Sequence, residues 1–207
     1  TLKDGETSVN TALEKMLNQN TTSSTMKVGL EAWYERNLLS YSSYMSLDAG
    51  FCNDRSVSEN GMSTNFTIYG INSRFVVDES GGPQFACPQT NDLFTTSASS
   101  KGNKALTYPV GLLTADELMY AGGLYNEDNQ NYYLTNDNFA TAIASLMSPW
   151  GFVHETGIDA LFVGSGSVVD AQSNFTLDFV VRPVINLASN VEITGGTGTS
   201  ADPYVVK

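Results

Sequence analysis

A chain of 207 residues is long enough to bury a sizeable core and requires only one. Ten Lys and Arg against 22 Asp and Glu leave a net charge of −12 and a pI near 4.2, which repels phosphate backbones and anionic headgroups; nucleic acid is not expected as a partner, nor is membrane contact by this segment. Hydrophobic residues at 41% with 11% aromatics exclude disorder, while the 15% charged fraction is low, its place taken by Asn, Ser, Thr and Tyr, a mixture common on exported proteins.

In chain order, residues 7 to 19 read as a short amphipathic helix, with Ala12, Leu13, Met16 and Leu17 at helical spacing and Thr11 with Glu14 as a capping pair. A polar break over 18–24 ends it. Thr25 opens a second helix carrying Leu30, Trp33, Tyr34, Asn37, Leu38 and Tyr41; Trp33 is expected in the core, and Trp33, Tyr34, Tyr41 and Tyr44 are read as packing ahead of a carbohydrate platform. From Gly50 to Gly82 short extended pieces follow, with Phe66, Ile68, Tyr69 and Phe75-Val76-Val77 as the buried segments. Residues 88 to 104 read as a surface loop.

The stretch Gly102 to Gly123 carries the densest signals. Leu106, Tyr108 and Val110 alternate as a short strand, held to an edge or bend by Pro109. Thr114 and Glu117 have the spacing of a capping box, Leu118, Met119 and Ala121 supply an apolar side, and Gly122-Gly123 ends the helix. Tyr125 to Tyr133 is polar and aromatic without a period, the best candidate for an exposed loop. Phe139 to Trp150 carries a weak helical period through Ala142, Ile143, Leu146 and Met147, stopped at Ser148-Pro149. Strands then predominate: 160–163 and 167–169 flank Gly164-Ser165-Gly166 as a hairpin, Phe179 to Leu187 is a central buried strand bent at Pro183, and 191–193 with 204–206 close the chain as a second hairpin. Helices first and antiparallel strands afterwards predict an α+β fold.

Cys52 and Cys87 are the only cysteines, without zinc spacing. In an oxidising compartment they form one disulfide, whose loop closure stabilises by about 3–4 kcal/mol; the alternative is two buried free thiols. Neither a signal peptide nor an apolar run long enough to span a membrane is visible, and a chain opening at Thr1 is read as a mature or truncated form that has lost a leader or anchor. His154 is the single histidine, and no nucleophile elbow accompanies it, so no catalytic residue and no enzyme activity are expected. Glu127-Asp128 and Asn136-Asp137-Asn138 invite a calcium reading, but the spacing lacks the glycine and distal glutamate of an EF-hand, and a solvated loop is preferred; no metal or cofactor is assigned. Asp54 and Arg55, with Asp48 and Glu59 nearby, are expected to hold a structural ion pair beside the cysteines. Asn20, Asn65 and Asn174 stand in N-glycosylation sequons, a short pattern of low specificity.

Several segments together resemble a family of exported bacterial proteins from the surfaces of Gram-positive gut bacteria, with a C-type-lectin-like or sulfatase-modifying-factor-like domain. They are Trp33-Tyr34 with Asn37-Leu38, Gly50 to Ser56, Tyr69 to Arg74, Phe85-Ala86-Cys87, Asn91-Asp92-Leu93, the 102–123 stretch, Tyr133-Leu134, Met147-Ser148-Pro149, and Val181 to Leu187 running on to Gly198-Thr199 and Asp202-Pro203-Tyr204. The resemblance implies a domain of short strands with two or three helices over 25–207, preceded by an N-terminal helix and polar linker over 1–24, and it matches Cys52 and Cys87 to the family's cysteine positions. It supplies no activity. The chain departs from the family where an aromatic usually precedes the Met-Ser-Pro element, since Ala144-Ser145-Leu146 stands there. The reactive cysteine pair of formylglycine-generating relatives lies late in the domain, whereas both cysteines here are early.

The function these readings imply is an extracellular, non-catalytic binding or adhesion domain at the cell surface, with a surface glycan or protein as ligand. Its expected contacts are Tyr125, Asn129, Asn131, Tyr132, Tyr133, Asn136, Asn138 and Trp150, because Tyr offers rigid amphipathic area and Asn offers both a donor and an acceptor. The alternative is a pilin-like or fibre-forming subunit whose partners are copies of itself.

Overall fold

The computed structural model describes residues 23–63, 65–77, 82–127, 143–153, 157–163, 169–172, 179–199 and 201–207. The expected helix over 7–19, the loop positions 128–138 and His154 lie outside them. Helix α1 (Thr25–Asn37) begins where the polar break predicts, since the Ser24 hydroxyl accepts from the Lys27 amide at 3.1 Å and satisfies one of the first-turn donors. Leu30 and Tyr34, four apart and therefore on one face, are buried, and Trp33 packs half-buried beside them. The chain then tightens into a 3₁₀ stretch, Leu39–Tyr44, that leaves Tyr41 exposed.

Ten strands follow among the described residues, β1 (Phe51–Cys52), β2 (Val57–Met62), β3 (Phe66–Tyr69), β4 (Leu93–Phe94), β5 (Ile143–Val153), β6 (Gly157–Val163), β7 (Val169–Gln172), β8 (Phe179–Val180), β9 (Ile193–Gly195) and β10 (Val205–Val206), together with a second helix, α2 (Ala115–Tyr120). The largest sheet runs β2-β3-β5-β6-β7, all antiparallel, with β8 joining β5 in parallel. This is an α+β architecture of short, mostly antiparallel strands. The expected hairpin pairing is present in part: β6 and β7 run antiparallel with Val163 opposite Val169, while the expected turn Gly164-Ser165-Gly166 and positions 167–168 lie outside the described residues; the closing hairpin is present as β9 and β10.

The expected helix over Phe139–Trp150 is corrected: from Ile143 the chain is the long strand β5. Its even positions, Ala144, Leu146, Trp150 and Phe152, face a cluster built on Tyr69, Ile71, Phe75, Ala115 and Leu118, while Met147 faces a second cluster of Leu30, Tyr34, Met45, Val110 and Leu112. A strand apolar on both faces loses its period of two, which is why Ile143, Leu146 and Met147 pass for a helical stripe. Pro149, which has no amide to donate, sits where the register with β6 shifts on either side.

The expected central strand Phe179–Leu187 is likewise corrected. Only Phe179–Val180 pairs along the sheet; beyond Pro183 the chain is a strap across the second cluster, bonded to Gly111 through Val184 (3.0 and 2.9 Å) and bridging Met45 through Leu187. Val181 and Leu187 are 41% and 42% exposed, so the most apolar run of the chain is not its most buried. Leu106 to Val110 is not a strand either. Leu106 bridges Thr96, the Thr107 amide donates to the Glu31 carboxylate at 2.6 Å, and Tyr108 stacks on Tyr34 with ring centres 5.1 Å apart.

The 88–104 segment is more packed than a surface loop. It contributes β4, and Asp92, Thr95, Thr96 and Ser99 are buried because their side chains satisfy loop backbone; the Thr96 hydroxyl donates to the Leu47 carbonyl at 2.9 Å. Phe75 is buried as expected, but on a helical turn that runs from Gly70 to Val77 and not on an extended piece.

Candidate functional site

Helix α2 has the termini its sequence specifies. The Glu117 amide donates to the Thr114 hydroxyl at 3.1 Å and the Thr114 amide to the Glu117 carboxylate at 2.8 Å, a complete capping box. At the other end Gly123 donates to the Leu118 carbonyl (2.9 Å) and Gly122 to Met119 (3.0 Å), the paired bonds of a Schellman motif, which needs the positive φ of 95° that Gly122 adopts. Ala115 and Leu118 are buried and Met119 half-buried, whereas Ala121, expected on the apolar side, is the exposed C-cap.

The disulfide forms between Cys52 and Cys87, 35 residues apart, and ties the end of β1 to the 82–88 segment. Ion pairs hold the same region, though not between the sequence neighbours Asp54 and Arg55. Arg55 pairs with fully buried Asp92, donating through Nε at 2.9 Å and through its amide at 3.0 Å. Arg74 reaches Asp116 with two parallel bonds of 3.0 and 2.9 Å and Asp54 with a third of 3.0 Å. Burial works against the Arg74 charge, but Asp116 and then Asp54 outweigh it and hold the guanidinium above its ordinary value. Asp116 also accepts from the Gln84 amide at 2.8 Å, fixing the 82–88 segment at a second point besides the disulfide. Asp48 stands apart from this lattice and accepts from Ser99 and Ser100; the Ser100 amide, then the two hydroxyls, hold its carboxyl below the usual range.

Between these restraints opens a small cleft of about 60 Å³, lined by Gly50, Cys52, Asp54, Gln84 to Ala86, Pro88, Leu93, Thr114, Asp116 and Glu117. Phe85 stands at it 61% exposed and meets Tyr120, 73% exposed, edge to face at 5.1 Å. Among the described residues these are the two most exposed large apolar side chains, and they touch. Helical spacing accounts for Tyr120, two positions after buried Leu118 and so on the opposite face of α2. For Phe85 no local signal exists, because its position depends on the disulfide.

The residues expected to bind ligand are differently placed. Tyr125 is not a solvent-facing ring: it is half-buried, packs on the first cluster and meets Phe75 edge to face at 5.9 Å. Trp150 is half-buried against the same cluster because it lies on the even face of β5. Asn129, Asn131, Tyr132, Tyr133, Asn136 and Asn138 fall outside the described residues. Among the described residues the Trp150 indole N–H, the Tyr69 hydroxyl and the Asn72 amide nitrogen are buried without a hydrogen-bond partner. Burial pushes the Tyr69 phenol well above its ordinary value, with Arg55 pulling the other way. No protein-family model, curated protein or solved structure matches the chain.

Proposed function

We propose that this chain is a non-catalytic binding or adhesion domain, of C-type-lectin-like fold, displayed outside a bacterial cell, and that it recognises its ligand at the cleft beside the disulfide. One observation carries the reading: the exposed Phe85–Tyr120 pair stands on backbone held by a disulfide, two ion-paired arginines and a capping box. An exposed aromatic pair contributes little to folding, and rigid backing lowers the ordering cost of binding, so this arrangement suits recognition. The disulfide supports an oxidising, extracellular setting. The acids at the cleft are engaged by Arg74 or by the cap, which suits a scaffold more than a proton-transfer site.

The test is an array of surface glycans and extracellular proteins, probed with the wild-type chain and with a Phe85→Ala/Tyr120→Ala variant. A ligand bound by the former and lost by the latter, at unchanged melting temperature, is the expected outcome. Ligands held equally by both would remove the cleft from the account.

A second reading, a filament subunit, draws on the β9–β10 hairpin, a two-stranded sheet on which Ile193, Tyr204 and Val205 are 60%, 57% and 56% exposed. Light scattering and electron microscopy decide it: a monomer at high concentration without fibres eliminates this reading.

A further inference from the structure

The chemical class of the ligand follows from the size, charge and aromatic content of the cleft; this step rests on the binding-domain reading. Benzene is held in an enclosed cavity of about 150 Å³, so a cleft of about 60 Å³ does not enclose a whole sugar ring and suits a slender chain lying in from the surface. Its charged lining is acidic: Asp54, Asp116 and Glu117 stand against the one guanidinium of Arg74 that binds the first two. Glu117 uses Oε2 for the cap, and among the described residues its Oε1 accepts no hydrogen bond. Phe85 and Tyr120 add ring faces and edges outside, where an aliphatic stem can lie and a cation is attracted to the ring quadrupole. The chain as a whole, at −12, concentrates cations near its surface.

We propose that the cleft receives a lysine side chain from an exposed segment of a partner protein, its stem against Phe85 and Tyr120 and its ammonium group toward Glu117. Size excludes the enclosed glycan, and charge excludes an acidic or phosphorylated peptide. The aromatic pair distinguishes a site from the diffuse attraction that any acidic protein exerts on a basic one.

The probe is a short Lys-Gly peptide, titrated calorimetrically into the wild-type chain, the Phe85→Ala/Tyr120→Ala variant and a Glu117→Gln variant, beside the same peptide with its lysines acetylated. Glutamine also serves a capping box, so Glu117→Gln removes the charge and keeps the helix start. The wild type should bind the unmodified peptide. Acetylation or the double substitution should each weaken binding by about tenfold, and Glu117→Gln severalfold, with melting temperatures unchanged. The double substitution alters no charge, so equal affinity in wild type and double variant would reveal diffuse attraction only and overturn the proposal. So would equal binding of the acetylated peptide. A ligand from the array that the double variant loses, with no binding of the Lys-Gly peptide, would overturn the lysine assignment and leave the binding-domain reading standing; failure of both assays would remove both.

Discussion

Asp92 is the residue whose loss should cost the fold most. Its carboxylate is fully buried and accepts from both the side chain and the amide of Arg55, so removing it takes the buried counter-charge from a guanidinium that is itself almost enclosed. Asp92→Ala should destabilise by about 3–5 kcal/mol in urea unfolding, the range for breaking one partner out of a buried pair. A loss below about 1 kcal/mol would contradict a buried pair that holds the fold at this point. Tyrosines divide in the same way by environment. Tyr125→Ala removes a half-buried ring from the first cluster and should cost about 1–3 kcal/mol, whereas Phe85→Ala and Tyr120→Ala should each stay within about 0.5 kcal/mol by the same measurement. The exposure of Tyr120 was legible from helix geometry once Leu118 was taken as core. The burial of Tyr125 was not, because it follows a glycine stop in a polar stretch and only tertiary contact with Phe75 reveals its role.

At the scale of elements, what the sequence declared best was local chemistry. The capping box, the glycine stop of α2 and the start of α1 are written in residues within a few positions of one another. Elements defined by what covers them were misread. β5 passes for a helix because both of its faces are buried, and the 179–187 strap passes for a central strand because hydrophobicity alone does not say how many neighbours a strand has. Hydrogen exchange separates the two. Amides of Ile143–Val153, paired to β6 on one side and to β3 and β8 on the other, should be among the slowest, and those of 181–187 distinctly faster. The reverse order would restore the strap as the sheet centre. The disulfide acts at this scale too, since it closes a 35-residue separation between β1 and the cleft wall. Replacing Cys52 and Cys87 together by Ser should cost about 2–5 kcal/mol, read from chemical unfolding under non-reducing conditions.

For the whole molecule, two apolar clusters on either side of β5 set the shape, and the buried ion pairs and disulfide brace one edge of it into a cleft. The α+β class was legible from the order of helix and strand signals, and the pairing of the cysteines from their number. The cleft was not, because its walls come from residues near 50, 85 and 116 that only the fold brings together. The central claim is that recognition occurs there. The most direct measurement is a map of backbone amide shifts as the ligand selected by the array is added to the isotopically labelled chain. The account predicts shifts gathered on Gln84 to Ala86 and on Glu117 to Tyr120, absent in the Phe85→Ala/Tyr120→Ala variant. Shifts centred on the 125–138 segment or on the β9–β10 hairpin, with the cleft silent, would contradict it.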